Sequence, residues 1–450
     1  MAEAHSKWWR QLNGYHWFVF VVASAAWFFD CLDQRLFTLA RNPALTSLVP
    51  EGDVQSLGKN VTAFFLIGWG IGGVIFGALG DRHGRAKMLT ITVLMYSVFT
   101  GLTFLSRGYW DFALYRFLTG MGVGGVFGLA VALVAETVPD GARTGALGML
   151  QTLSAVGNIS ASLCKMLIDK IEHGGYIEPG SGWRWLFLIG ALPALLVIFT
   201  GKYLREPEPW LRQKAAGKLP KGGLLAPYAG LLAEHRWRKN LLIGVLLAST
   251  GVIGLWAIGE YAPDLQRNVF RTHFEAAGVP SAEVGDRINS AINLAFILQM
   301  IGATAGMWLF TRLAMAMGRR SAFAIGYTAA LVITLLVYWK MDSPMDAYWM
   351  MPLMGAAQLS VFAGFAIYLP ELFPSRLRST GTSFCYNLGR FAAAGGSFFS
   401  AALATQAFGV YGSPLKERYA AMAMCSIFLI GLLTLPFAPE TKDKPLPEDA

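Results

Sequence analysis

Twelve separate stretches of mostly apolar residues, each about as long as a bilayer is thick, constrain this chain's fold more than any other feature. They lie near residues 17–39, 61–80, 88–106, 110–134, 145–168, 185–203, 240–262, 290–311, 321–340, 347–369, 382–407 and 419–437. A helix needs roughly 20 apolar residues to cross the hydrocarbon core. Inside lipid each backbone N–H and C=O must find a partner within its own segment, so runs of this length are expected to be helical. The expectation is an all-α membrane protein with twelve transmembrane helices. Ala23-Ser24-Ala25 faintly resembles a signal-peptide cleavage site. The apolar run before it is short and continues past it, so the segment is expected to remain as the first span.

Composition agrees with that reading. Of 450 residues, 54% are hydrophobic and 14% charged, against about 25% charged in soluble domains. The four cysteines, Cys31, Cys164, Cys385 and Cys425, sit inside apolar runs with no CxxC spacing and no neighbouring histidine. That argues against a disulfide framework or a metal site and for buried free thiols. The glycine series Gly120, Gly122, Gly124 and Gly125 has no Lys-Ser/Thr after it, so it reads as close helix packing and not as a phosphate loop. No nucleophile–base pair has motif support. The chain is expected not to be an enzyme and to need no cofactor.

The formal charge of +9 raises the question of nucleic acid. With the N-terminus placed in the cytoplasm, 22 Lys and Arg fall in cytoplasmic segments and 11 in outer ones. This is the positive-inside pattern of a membrane protein, so nucleic acid is not needed to explain the charge. Both termini are expected in the cytoplasm, with the protein in the plasma (inner) membrane. The longest internal basic stretch lies between the sixth and seventh runs. The expected organisation is a six-helix bundle over 1–203, a basic cytoplasmic linker over 204–239, and a second six-helix bundle with a short tail over 240–450.

An internal repeat supports two related halves. Glu136, Pro139 and Arg143 recur as Glu371, Pro374 and Arg378, all three at one offset. Gly84-Arg85 recurs as Gly318-Arg319, a single position short of that offset. Paired repeats with a site between them at mid-membrane form a transporter architecture.

These residues resemble the major facilitator superfamily, along nearly the whole chain. GALGDRHGRAK, residues 77–87, matches its G-x-x-x-D-R-x-G-R-x-K loop. YRFLTGMGVGG at 115–125 and the two E-x-x-P-x-x-x-R segments look like the sugar porters and their organic-acid relatives. Asp30-Cys31-Leu32-Asp33 looks like the D-G-x-D of aromatic-acid:proton symporters, and NLGRF at 387–391 like the eleventh-span G-R of that family. The resemblance implies two pseudo-symmetric six-helix bundles and alternating access. The second half departs from it, because GMWLFTRLAMAMGRR at 306–320 lacks the acidic residue of the first-half loop.

Candidate site residues follow from charge inside the spans. Asp30, Asp33, Gln34 and Phe37 share one helical face. Intramembrane charge costs about 2.5–3.5 kcal/mol on insertion scales and is kept for function or pairing. Asp33 and Arg116 stand about six residues from the outer ends of their spans, so their depths match. Asp30, Asp33 and Arg116 are the candidates for proton coupling. Burial favours the protonated carboxyl and Arg116 the ionised one. In sugar porters the corresponding Asp and Arg are implicated in coupling. A static ion pair holding helices together is the alternative.

Subtracting the repeat offset from Arg390 gives Ala155, which lies between Gln151 and Asn158 on one face of the fifth span. Sugar porters line their cavity with two glutamines at that spacing. Arg390 with Gln151 and Asn158, Gln34 on the polar face of the first span, and Tyr261, which stands where the sugar porters have Tyr-Tyr, are the candidate substrate contacts. A guanidinium there would suit a carboxylate. Pairing with a protein carboxylate is the alternative. Asp81, Arg85, Glu136, Arg143, Glu371 and Arg378 are expected to form a cytoplasmic gating network.

The functional expectation is proton-coupled symport of a small organic anion, either an aromatic acid or a sugar acid. A proton-coupled sugar transporter is the second reading. The sugar porters' seventh-span glutamines and tenth-span Trp are replaced here by Thr250, Gly251 and Ala366. A membrane sensor that binds without moving its solute is the third. The expected partners are the substrate, protons and membrane lipid, for a monomer.

Overall fold

The computed structural model describes residues 7–49, 53–259, 261–412 and 415–448, all helix, turn or coil with no strand among them. The helices of the first half are α1 (Gly14–Leu48), α2 (Val54–His83), α3 (Arg85–Thr103), α4 (Tyr109–Thr137), α5 (Asp140–His173) and α6 (Gly182–Tyr203). Two short helices, α7 (Glu208–Ala215) and α8 (Ala226–Ala233), occupy the basic linker. Then come α9 (His235–Ile258), α10 (Tyr261–Ala276), α11 (Ser281–Met317), α12 (Arg319–Lys340), α13 (Pro344–Glu371), α14 (Arg378–Ala402) and α15 (Leu415–Phe437). Ten helices among the described residues are long and apolar enough to cross a membrane. The other two expected spans fall on α5 and α14, of 34 and 25 residues.

Helix ends follow local chemistry. Asn13 caps α1 by accepting the His16 N–H at 2.8 Å, and the His16 side chain closes the reciprocal contact. Between α2 and α3 the chain turns at Gly84, whose φ of 110° favours glycine. Gly318 makes the same turn between α11 and α12 at φ 95°.

Side-chain placement is inverted relative to a soluble bundle. On α3, Ile91, Leu94 and Val98 are exposed, while Thr92, Ser97, Thr100 and Thr103 are buried. Leu195, Ile198 and Phe199 of α6 are likewise exposed. Lipid tails are as apolar as leucine, so apolar faces can point outward and polar groups collect between helices.

Compactness divides the chain into two units. One comprises Met1–Leu241, Ala366–Asn387 and Asp443–Ala450, the other Leu242–Phe365 and Leu388–Lys442. The stretch 366–387 thus groups with the first half, across the boundary drawn from sequence at residue 240. It does so because its polar groups bond to α2 and α4, as described below.

Each unit repeats the other's packing. A Cβ on Gly68 or Gly72 of α2 would overlap the backbone of Phe117 or Met121 on α4. In the second unit Gly302 and Gly306 of α11 meet the backbone of Pro352 and Ala356 on α13 in the same way. All of these positions correspond through the internal repeat. Small residues let these helices approach backbone to backbone, which supplies dispersion where water supplies no drive. Of the tryptophans before and at the start of α1, Trp8 is buried against Gly145 and Phe20, while Trp9 and Trp17 are exposed.

Candidate functional site

The buried acidic face of α1 meets α3, α4 and α6. Asp30 and Asp33 are both fully buried, one turn apart. Arg116 Nη1 lies 3.5 Å from Asp33 Oδ2, and neither side chain is exposed. Three threonine hydroxyls complete the arrangement. Arg116 Nη2 donates to Thr100 Oγ1 at 3.1 Å, Thr103 Oγ1 at 2.9 Å and Thr119 Oγ1 at 2.9 Å. Thr100 in turn donates to Asp33 Oδ1 at 2.8 Å. The guanidinium also lies 4.7 Å from the centre of the Phe187 ring. The cation is therefore solvated by neutral oxygens and a π face as well as by its carboxylate.

That balance has a chemical consequence. An arginine held only by a carboxylate would be left bare if the acid were protonated, at a cost of about 3–5 kcal/mol for a buried pair. Here Arg116 keeps three acceptors and an aromatic face in either state.

The other candidate residues are distributed as follows. Gln151 is buried on α5, with Nε2 3.4 Å from Ser154 Oγ. Asn158 is half-buried and donates to the Ser154 carbonyl at 2.9 Å. The two amides are thus joined through Ser154. Gln34 is half-buried on α1. Arg390 is buried in α14, in the second unit. The side chain of Tyr261 lies outside the described residues.

Sequence reasoning missed the threonines, because a hydroxyl in an apolar run carries no charge signal. It also missed an aromatic cluster in the first unit. Phe127 stacks on Tyr386 at 3.8 Å between ring centres, and Trp27 packs 5.1 Å from Phe127. The buried Trp27 indole N–H has no hydrogen-bond partner among the described residues. Gln151 Oε1 is likewise buried without one.

Four of the six network residues lie in one chain of contacts, at the end of α2. Arg85 bridges Asp81 at 3.0 Å and Glu136 at 3.2 Å, with all three side chains fully buried. Glu136 also takes Ser375 Oγ at 2.9 Å and pairs with Arg378. Asp81 accepts the backbone N–H groups of Ser379 at 3.1 Å and Thr380 at 2.8 Å. It therefore caps the N-terminus of α14, where the helix dipole favours an anion. Arg143 donates to the Ala135 carbonyl at 3.1 Å and Arg378 to the Pro370 carbonyl at 3.0 Å, one device used in both halves of the repeat. Glu371 is buried nearby in sequence.

Two carboxylates that the sequence reading did not single out brace these turns. Glu206 accepts the N–H of Ala86 at 3.1 Å and Lys87 at 2.9 Å, at the start of α3. Glu440 accepts those of Arg319 at 2.9 Å and Arg320 at 3.1 Å, at the start of α12. Glu440 is partly buried, which opposes its charge. The backbone N–H groups of Arg319, Lys442, Arg320 and Thr441 outweigh that and hold its carboxyl below the usual range. The second half lacks the acidic loop residue yet keeps this clasp. Among the described residues no cluster of three or more His, Cys, Asp or Glu could hold a metal ion.

Paired helical repeats around buried intramembrane charge define a polytopic membrane carrier. Residues 12–224 match the family described as sugar (and other) transporter. A cis,cis-muconate transport protein of Acinetobacter baylyi is 25% identical over 429 residues, 95% of each chain. The niacin transporter NiaP of the same organism is 26% identical over 401 residues, 84% of this chain and 85% of its own. A structure of the proton:xylose symporter XylE, from E. coli, matches at TM-score 0.74 and 20% identity, over 96% of this chain and 98% of its own. At that identity the likeness concerns the fold. The chain has the fold of major facilitator superfamily transporters, and the relatives it resembles along most of its length are membrane transporters.

Proposed function

We propose that the protein is a proton-coupled symporter that moves a small organic anion, an aromatic acid or a sugar acid, by alternating access. The observation that carries the coupling is the Asp33–Arg116 pair with its three threonines, because it lets the carboxyl load and lose a proton while the cation stays solvated. Asp30, one turn away and equally buried, shares or supports the proton.

The anion reading draws on relatives whose names specify muconate and niacin. Arg390 offers a planar fork suited to a carboxylate. Gln151, Asn158, Gln34 and Tyr261 supply further polar contacts, and the Asp81–Arg85–Glu136–Arg378 chain with Arg143 and Glu371 stabilises one access state over the other. The excess of Lys and Arg puts this charged end and both termini in the cytoplasm. The neutral-sugar reading retains one support, the family match over residues 12–224.

Reconstitution in proteoliposomes tests the coupling. Asp33→Asn is expected to abolish accumulation of labelled acid driven by an imposed pH difference, while exchange of internal for external acid persists. Arg116→Ala should damage coupling as well. If Asp33→Asn still concentrates substrate in response to the pH difference, Asp33 is not the coupling group.

A further inference from the structure

At the end of the first unit away from the charged network, where α3 turns into α4, lies a cavity of about 510 Å³. It is lined by Phe104, Leu105, Ser106, Arg107, Asp111, Tyr115 and Arg184. The corresponding corner of the second unit explains what is unusual about it.

In the second unit Arg418, at the start of α15, is buried. It donates to the carbonyls of Tyr338 at 3.4 Å, Trp339 at 3.0 Å and Met341 at 2.6 Å, closing the end of α12. Its charge is met by Asp342 at 2.6 Å. In the first unit Arg184, at the start of α6, donates to the carbonyl of Phe104. Arg418 stands at the repeat position of Arg184, and Tyr338 at that of Phe104. The local register is set independently by Asp111 and Asp346, which also correspond. Each accepts the backbone N–H four residues earlier, from Arg107 at 2.7 Å and from Asp342 at 3.1 Å. The position that holds the counter-ion Asp342 in the second unit is therefore Arg107 in the first. One repeat neutralises its corner arginine internally. The other sets a second arginine beside it.

The remaining groups suit an anion. The Arg107 side chain has no ion pair among the described residues. Asp111 is the one acid among the described lining residues; it acts on Arg184 and also accepts the N–H groups of Arg107, Gly108 at 3.0 Å and Phe112 at 2.8 Å, so the lining sets two cations against one acid. Ser106, fully buried, is among the lining residues, and its hydroxyl has no hydrogen-bond partner among the described residues. Neighbouring Leu105, Trp110, Leu114 and Trp185 are exposed, an apolar and indole-rich surround of the kind found where a helix meets the membrane interface. We propose that Arg107, Arg184 and Ser106 form an oxyanion site for a phosphate group, and that the exposed apolar surround recruits it as the headgroup of an anionic lipid. The site is separate from the Asp33–Arg116 pair and does not depend on which solute is carried.

The test uses the full chain in nanodiscs of phosphatidylcholine, with or without phosphatidylglycerol, read by native mass spectrometry. Wild type should retain phosphatidylglycerol, and Arg107→Ala should weaken retention about tenfold, as expected for losing a charge-assisted contact. Arg107→Asp, which installs the second unit's counter-ion opposite Arg184, should remove retention while keeping the wild-type melting temperature in pure phosphatidylcholine. Arg107→Lys should retain most of it. Equal retention by wild type and Arg107→Asp overturns the site. Inorganic phosphate separates the two sources. If millimolar phosphate stabilises wild type but not Arg107→Asp in pure phosphatidylcholine, and phosphatidylglycerol is not retained, the oxyanion site stands and the lipid assignment falls.

Discussion

A single guanidinium in a membrane has to be solvated by something. Arg116 is solvated by three threonine hydroxyls, a phenyl face and one carboxylate, and only the last of these changes its charge. Arg390 is a buried guanidinium in the second unit, assigned here to the carboxylate of the substrate. A charge-assisted contact of this kind is worth about 1.5–3 kcal/mol, roughly ten- to hundredfold in affinity. Arg390→Ala should lose that factor for an acid and leave its amide little changed, measured as binding of the matched pair. Arg390→Lys should also bind the acid weakly, since it keeps the charge without the planar fork. Equal losses for acid and amide would return the neutral-sugar reading to first place. The Asp33–Arg116 pairing was legible from counting residues inward from the span ends, because charge in an apolar run is conspicuous. Thr100, Thr103 and Thr119 were not, since threonine is common in membrane helices and only the fold brings these three to one nitrogen.

Among elements, α2 and α4 carry the closest packing of the first unit. Gly72 stands where a Cβ would overlap the Met121 backbone, so no rotamer change relieves the clash. Gly72→Ala should force the helices apart and cost about 1–3 kcal/mol, as overpacking does. Gly306→Ala should behave alike against Ala356. The matched control is Gly201→Ala in α6, where nothing lies within 4 Å of the added carbon. Alanine favours helix over glycine, so that variant should melt no lower than wild type. Thermal unfolding in detergent, followed by tryptophan fluorescence, compares the three. Only the α4 glycines, Gly120 to Gly125, were read from sequence as packing positions, because which backbone a glycine meets depends on register between helices that are not consecutive in the chain. The same limit hid the Asp81 cap on α14, whose acceptor and donors come from opposite halves of the sequence. The loop motif marked Asp81 as important. Only the folded chain shows that its partners, besides Arg85, include backbone N–H groups.

Across the whole molecule, one plan is executed twice with different counter-charges. Glu206 and Glu440 occupy corresponding positions of the repeat, and each clasps the first N–H groups of the helix after a positive-φ glycine. The sequence repeat marked the glycines and arginines of these turns but not their carboxylates, which lie beyond the last span of each half. The second-half loop reads as deficient for want of its acid, yet Glu440 supplies one from the tail. Its carboxyl titrates below the ordinary range because backbone N–H donors outweigh the opposing effect of partial burial. A depressed folded-state value means that the charge adds stability above the unfolded-state value, near pH 4.3. That contribution is lost as pH falls through the lower folded value. Glu440→Gln keeps an acceptor oxygen but removes the charge, so it should melt below wild type at neutral pH. The difference should hold constant from pH 8 to about pH 5.5 and shrink only below about pH 4.5, as wild-type Glu440 takes up its proton. Melting curves of both proteins over that range provide the check. A gap that closes already between pH 8 and 6 would mean that another group, and not the Glu440 carboxylate, holds the α12 turn.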